Sequence, residues 1–375
     1  MSEYQYYEFA ALDGPISDEG MTYARGCSSR AEVARVHGRN VYNVGGFSGS
    51  VDRLLRYYDA DFYIANWGTV RFALSFPEGV FDPEGIEAYA RGHEEYENTL
   101  TIGSNGTRTI VWWERQEEGG WGWTEGEGIL SHLSGIREEL MRGDFRALFL
   151  GWLADFRPEE WRDPRDNAVL VPPIPAGLDC LTPALQTLIE HLPVDQDALT
   201  VAAGQATGGM PKRTPISHVI DALPVSDMKA LLVRVAEGDG SRVMSELNRL
   251  TYPHTEPVAG ETLTCVEFAT KAIEIREARL KKEAKAAAAK RRREAAARKR
   301  HLKTVLERAD AIWAGLDPLM EEKKASAYDR VATQLREMHE AYEQAGRGGD
   351  FQNRLVAFRE AYSRRPAMMR RIREL

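Results

Sequence analysis

Between Thr262 and Gly315 the chain runs without a proline or a glycine. The filling is mostly Ala, Lys, Arg, Glu and Leu, residues that lose least on entering a helix. Residues 261–315 are therefore expected to form one long helix. Roughly 50 residues at about 1.5 Å rise make a rod of roughly 75 Å, longer than an average globular domain is wide.

Placed at about 100° per residue, the side chains of this rod sort into sectors. Val266, Ala269, Ile273, Leu280, Ala284, Ala287, Ala295, Leu302, Val305 and Ile312 share one apolar stripe, bulky at both ends and alanine-only in the middle. Lys281, Lys282, Lys285, Arg292, Arg293, Lys299, Arg300 and Lys303 share a neighbouring basic face. Arg291 and Arg298 interrupt the stripe one heptad apart, where they are expected to meet carboxylates or to reach past the apolar surface to water.

Charge is divided as sharply. Residues 271–303 hold 14 Lys or Arg against 4 Asp or Glu, whereas residues 1–270 hold 22 against 41. The whole chain, at 49 against 57, has a formal net charge of −8 that conceals this division. A basic helix suits DNA or RNA without sequence specificity, because neutralised phosphates release counterions. It can also face an acidic protein partner or the protein's own acidic body, and a solvated face with no ligand is the commoner outcome for such a helix.

At 375 residues and 43% hydrophobic content the chain is long enough for two or three domains with real cores. The longest apolar run, residues 145–156, is too short to span a bilayer and carries Arg146 and Asp155. The first residues lack the basic start and apolar core of a signal peptide, so cytoplasmic residence and no membrane partner are expected. Cys27, Cys180 and Cys265 are too dispersed for a disulfide framework or a zinc set.

In chain order, residues 1–125 alternate extended runs with short helices. Strands are expected at 4–12, 32–44, 61–67, 70–76, 99–102 and 107–114, with tight turns at Gly68-Thr69 and at 103–106. This reads as an α+β domain with a mainly antiparallel sheet. Trp112 and Trp113, adjacent in a strand, must face opposite ways. Beyond a Gly, Glu and Trp loop at 117–128 the signals turn helical. An all-α domain of short helices punctuated by prolines is expected over 129–258, with helices at 129–141, 145–155, 182–191, 195–203, 216–222, 226–236 and 242–250. The long amphipathic basic helix follows at 261–315. A C-terminal helical hairpin is expected over 318–375, its helices at 318–345 and 350–364 separated by Gly346-Arg347-Gly348-Gly349.

The segment Val171-Pro172-Pro173-Ile174-Pro175, with Leu181-Thr182-Pro183 and Val194-Asp195-Gln196, resembles an uncharacterised family of bacterial proteins. So do Tyr7-Glu8-Phe9-Ala10-Ala11 and Ala65-Asn66-Trp67-Gly68-Thr69, and the likeness spans residues 4–250. It implies no activity. The tail, through Tyr328-Asp329-Arg330, Arg364-Arg365-Pro366 and Met368-Met369-Arg370-Arg371, is similar to the helical tail of SWIM zinc-finger proteins. Their zinc motif, Cys-x-Cys with a later Cys-x-His, is absent from this sequence.

No residue set names a reaction, and no cofactor or metal is expected. The loop Gly45, Gly46, Ser48, Gly49 and Ser50 precedes a helix start where bare amides attract anions. It lacks P-loop and dinucleotide spacing, and Ser48 lacks the spacing of a nucleophile elbow. His93 has Glu97, not a second histidine, four residues on, and Asp59 with Asp61 could pair on a metal but such residues more often end the preceding helix and stay solvated. Trp121 and Trp123 stand in an acidic loop that suits a protein contact better than a nucleic acid.

The leading expectation is a non-enzymatic adaptor that docks electrostatically on nucleic acid through Lys290, Arg291, Arg292, Arg293, Arg298, Lys299 and Arg300. The alternative is a protein-interaction scaffold whose long helix packs, through Leu280 and Leu302, on its own body or a partner. An enzyme of unknown reaction is the third.

Overall fold

The structure, a computed structural model, describes residues 3–77, 80, 83–90, 99–106, 108–116, 125–161, 168–205, 214–251 and 263–375. It divides into two compact units, Met1–Glu277 and Ala278–Leu375, with the boundary inside a helix.

Unit 1 begins with a seven-stranded sheet, antiparallel throughout: β1 (Gln5–Ala10), β2 (Glu32–Val33), β3 (His37–Tyr42), β4 (Ala60–Ala65), β5 (Thr69–Pro77), β6 (Leu100–Ser104) and β7 (Arg108–Gln116). The order across it is β2-β3-β1-β4-β5-β7-β6. The β4–β5 connection is tight because Gly68 adopts φ 107 and donates its N–H to Ala65 O at 3.1 Å. The extended run expected over 32–44 is instead a small hairpin. Ala34 N donates to His37 O at 2.7 Å, and the chain reverses there before the register Glu32 opposite Arg39 is set.

Each face of the sheet has its own cover. On one side α1 (Asp18–Gly26) and α2 (Val51–Leu54) bring Met21, Ala24 and Leu54 against Tyr7, Phe9 and Tyr63. Ser17 caps α1 by accepting from Gly20 N at 3.2 Å, and Ser50 caps α2 by accepting from Arg53 N at 3.2 Å. The other side meets a helical layer that includes α3 (Pro83–Ala90), α4 (Ile129–Leu133), α5 (Gly135–Met141), α6 (Arg146–Asp155), α7 (Pro183–His191) and α8 (Gln196–Gln205). Trp113 is its centrepiece, buried, stacked on Phe72 and donating its indole N–H to Ala147 O at 3.1 Å. Helix α6 approaches so closely that a methyl group at Gly151 would stand 2.8 Å from the Trp113 indole nitrogen. Trp112, on the opposite face, is only half-buried, in keeping with the alternation of a strand.

One apolar core joins the sheet's inner face to these helices, so Phe62, Leu74 and Val111 share it with Phe149, Leu153 and Leu185. Three further helices of unit 1, α9 (Ile216–Ala222), α10 (Val225–Ala236) and α11 (Gly240–Leu250), pack chiefly on one another, and no residue of α10 is buried. Among the described residues no helix is long and apolar enough to cross a membrane.

The long helix, α12 (Cys265–Glu307), is 43 residues. It is shorter than the expected 261–315 because the backbone breaks at Arg308 (φ −100, ψ 7), after which α13 (Ala309–Glu321) brings Trp313 and Leu316 into the core of unit 2. Pro318 was expected to open a helix and instead lies inside α13, where the burial of Leu316 and Met320 outweighs the hydrogen bond the ring removes. A left-handed Lys323 (φ 56) separates α13 from α14 (Ala325–Gln344). Gly346 (φ 69) ends α14, with Arg347 N donating back to Tyr342 O at 2.8 Å, and α15 (Gly348–Ala361) and α16 (Pro366–Arg371) close the unit. Val331, Leu335, Met338, Phe351, Leu355 and Met368 form its interior.

Candidate nucleic-acid interface

Helix α12 starts firmly. Thr264 Oγ1 accepts from Glu267 N at 3.2 Å while Glu267 Oε2 accepts from Thr264 N at 3.0 Å, a reciprocal cap that satisfies two orphan donors. These bonds hold the exposed Glu267 carboxyl below its ordinary range. The preceding residues are pinned by Val171 N to Leu263 O at 2.9 Å and Cys265 N to Val169 O at 2.8 Å. Phe268, Ala269 and Ala272 are then fully buried, Phe268 against Trp152 and Phe156. Arg276 closes the packed section by ion pairs to Glu159, Asp195 and Asp197, the last at 3.4 Å.

From 277 to 301, 25 consecutive residues, every position is exposed. Packing resumes at Leu302, which is 2% exposed, and at Val305, both in the core of unit 2. The helix is thus anchored in a core at each end and bare between. Helicity in the middle rests on alanine-rich propensity and on local pairs such as Arg279 with Glu283 at 3.1 Å.

The seven cations singled out in the sequence all lie in or beside this bare stretch, but they are not equivalent. Arg298 faces α14, where it pairs with Glu337 at 3.5 Å and with Glu340. Its guanidinium is raised above its ordinary value by the hydrogen bond to Glu340, whose carboxyl is lowered in return. His301 joins the same patch, 3.1 Å from Glu337. Among the described residues, Lys290, Arg291, Arg292, Arg293, Lys299 and Arg300 form no ion pair, and Arg300 only donates its Nε–H to Ala296 O at 3.3 Å. Lys281, Lys282 and Lys285 are likewise exposed and unpaired, and Lys303 meets Glu307 at 3.9 Å.

Leu302 and Arg298 fix which side of the helix faces unit 2. At about 100° per residue the opposite side carries Lys281, Lys282, Lys285, Arg292, Arg293, Lys299, Arg300 and Lys303 within roughly 120°. Lys290 and Arg291 point elsewhere. Helical periodicity, rather than the contiguous basic run 290–300, is the signal that isolates this face. Arg276 was not legible as an anchor, since its partners lie about 80 to 117 residues away in the chain. Leu280 is 51% exposed, on the side turned away from the basic face.

The other candidate sites have different surroundings. Ser48 donates its hydroxyl to Cys27 O at 2.8 Å, Gly45 O accepts from Gln5 Nε2 at 2.7 Å, and Ser50 N donates to Tyr23 Oη at 2.9 Å, so the loop binds the β3–α2 connection to its neighbours. A side chain at Gly49 would strike Cys27, and Gly46 has open space around it. Asp59 accepts from the backbone of Leu12 and Asp13 and pairs with Arg108, while Asp61 Oδ2 accepts from Arg71 Nε at 2.9 Å. Burial pushes the Asp61 carboxyl up, with Arg71 opposing. Among the described residues no group of three or more His, Cys, Asp or Glu is arranged to hold a metal. Trp121, Trp123 and His93 lie outside the described residues.

No protein-family model matches the chain, and no curated protein or solved structure matches it either. The likenesses noted in the sequence gain no support from these comparisons.

Proposed function

We propose that the protein is a non-enzymatic adaptor that docks on nucleic acid through the bare stretch of α12. The observation that carries this reading is the row of exposed lysines and arginines without carboxylate partners, on the side of the helix opposite its packing face. Between them stand alanines, which reach no base edge, so the contacts are to phosphate and the binding is indifferent to sequence.

The test is to replace Lys281, Lys282, Arg292, Arg293, Lys299 and Arg300 by Gln, which keeps the helix and removes the charge of that face. With about six phosphates neutralised, the parent loses about three orders of magnitude in affinity between 50 and 200 mM salt, and the Gln variant shows a much shallower salt slope and weaker binding. Equal binding by the two proteins defeats the reading. A scaffold reading rests on a different residue, the exposed Leu280. Leu280→Asp leaves nucleic-acid affinity unchanged if the basic face acts alone, and a loss of self-association or of a protein complex in that variant, measured by sedimentation, favours the scaffold.

A further inference from the structure

The eight cations opposite the packing face of α12 are not scattered over their sector. Lys281, Lys285, Arg292, Lys299 and Lys303 form one row along the helix, and Lys282, Arg293 and Arg300 form a second row roughly 90° round the axis from it. Between the rows lie Ala289 and Ala296. The face therefore consists of two lines of positive charge with a floor of methyl groups. With a helix diameter of about 10–12 Å including side chains, and somewhat more at extended basic tips, the two lines stand roughly 8–12 Å apart.

From this geometry we infer that the ligand of the basic face is duplex DNA, with the two rows straddling its minor groove, one on each phosphate backbone. The inference rests on the nucleic-acid reading above and specifies its partner. The minor groove of B-DNA is about 6 Å wide, so cations about 8–12 Å apart reach the phosphates on its two rims. A helix seated in the major groove, which is about 12 Å wide, has a phosphate backbone on each of its two sides and so needs its cations on opposite flanks. Here the rows are a quarter-turn apart and the intervening residues are alanines.

A single strand offers one line of phosphates, and its proteins add aromatic platforms on which bases stack. Residues 277–301 contain no Phe, Tyr or Trp, and the single histidine, His301, is turned to Glu337. Double-stranded RNA has a wide, shallow minor groove, whose rims only one row at a time can meet. Duplex DNA supplies charge in excess, one negative unit per about 1.7 Å of axis, against eight cations spread over about 33 Å of helix.

The experiment moves charge without removing it. In the full chain, Lys282→Ala with Ala284→Lys, Arg293→Ala with Ala287→Arg and Arg300→Ala with Ala295→Arg transfer the second row to the opposite side at constant net charge. Circular dichroism checks that helicity is kept. Fluorescence anisotropy then compares parent and permuted protein on a labelled DNA duplex of about 20 base pairs, on the single strand, and on an RNA duplex of the same sequence. The parent is expected to bind duplex DNA at least about ten-fold more tightly than either alternative, and the permuted protein to lose at least about ten-fold on duplex DNA. Undiminished binding by the permuted protein overturns the two-row geometry. Equal binding of the parent to all three nucleic acids overturns the duplex-DNA assignment while the docking reading stands, and binding of the parent to none of them removes both.

Discussion

Arg137 and Arg292 carry the same guanidinium in opposite surroundings. Arg137, on α5, is 2% exposed and grips Asp13 with both terminal nitrogens at 2.6 Å, while its Nε donates to Ser75 O at 3.0 Å. Asp59 lies 3.8 Å away and is itself held by Arg108 and by the backbone of Leu12 and Asp13. Every charge in that cluster is matched within the protein, so it locks the sheet to α5 and has nothing left to offer a ligand. Arg292 stands in water with no carboxylate beside it. The count of cations in a segment thus says less about binding than the count left without a partner.

The largest effect is expected at Arg137. Arg137→Ala leaves Asp13 and Asp59 buried with too few partners, and unit 1 is expected to lose about 3–5 kcal/mol in urea denaturation. A loss below about 1 kcal/mol reduces the cluster to the level of a surface pair. The next effect belongs to the bare stretch. Ala288→Pro costs the helix about 3 kcal/mol locally, yet Ala288 touches neither core, so the unfolding midpoints of both units are expected to hold while amide exchange quickens around 280–295 and nucleic-acid affinity falls. A concerted loss of both units instead shows that the middle of α12 is part of their folding.

The smallest effect is one of pH. Burial holds the Asp155 carboxyl above its ordinary range, although Thr99 donates to it from both its backbone nitrogen and its hydroxyl. The folded state thus grips this proton more tightly than the unfolded chain does. The stability so gained is fully present below the ordinary carboxylate pKa of about 4 and is lost as pH rises through the raised value. Asp155→Asn does not titrate, so its stability relative to the parent is expected to improve between about pH 4 and pH 7, read from urea midpoints at each pH. A constant difference across that range assigns the residue only its hydrogen bonds to Thr99.

Much of this architecture was legible because local chemistry and packing agree. The antiparallel sheet followed by helices, the turn at Gly68 and the glycines closing α14 follow from alternation and from backbone freedom at particular residues. What stayed hidden depends on distant partners. The pairing of Asp13 with Arg137 joins residues 124 apart, and no local pattern marks the break at Arg308. On α12 the periodicity exposed the basic face. It also set Arg291 and Arg298 in the apolar stripe to meet carboxylates or reach water, but gave no sign that Glu337 and Glu340 would take Arg298 while Arg291 stays exposed.

The unpacked middle of α12 also has a bearing on proteolysis. A trypsin-like protease must thread several residues in extended form, and a turn held only by its own hydrogen bonds opens far more often than one buried in a core. Among the sites in the described helices, the bonds after Lys281, Lys285, Lys290 and Arg293 are therefore expected to be cut early under mild digestion, and the two fragments released, each retaining an intact interior, define where the gene is best divided for expressing either half.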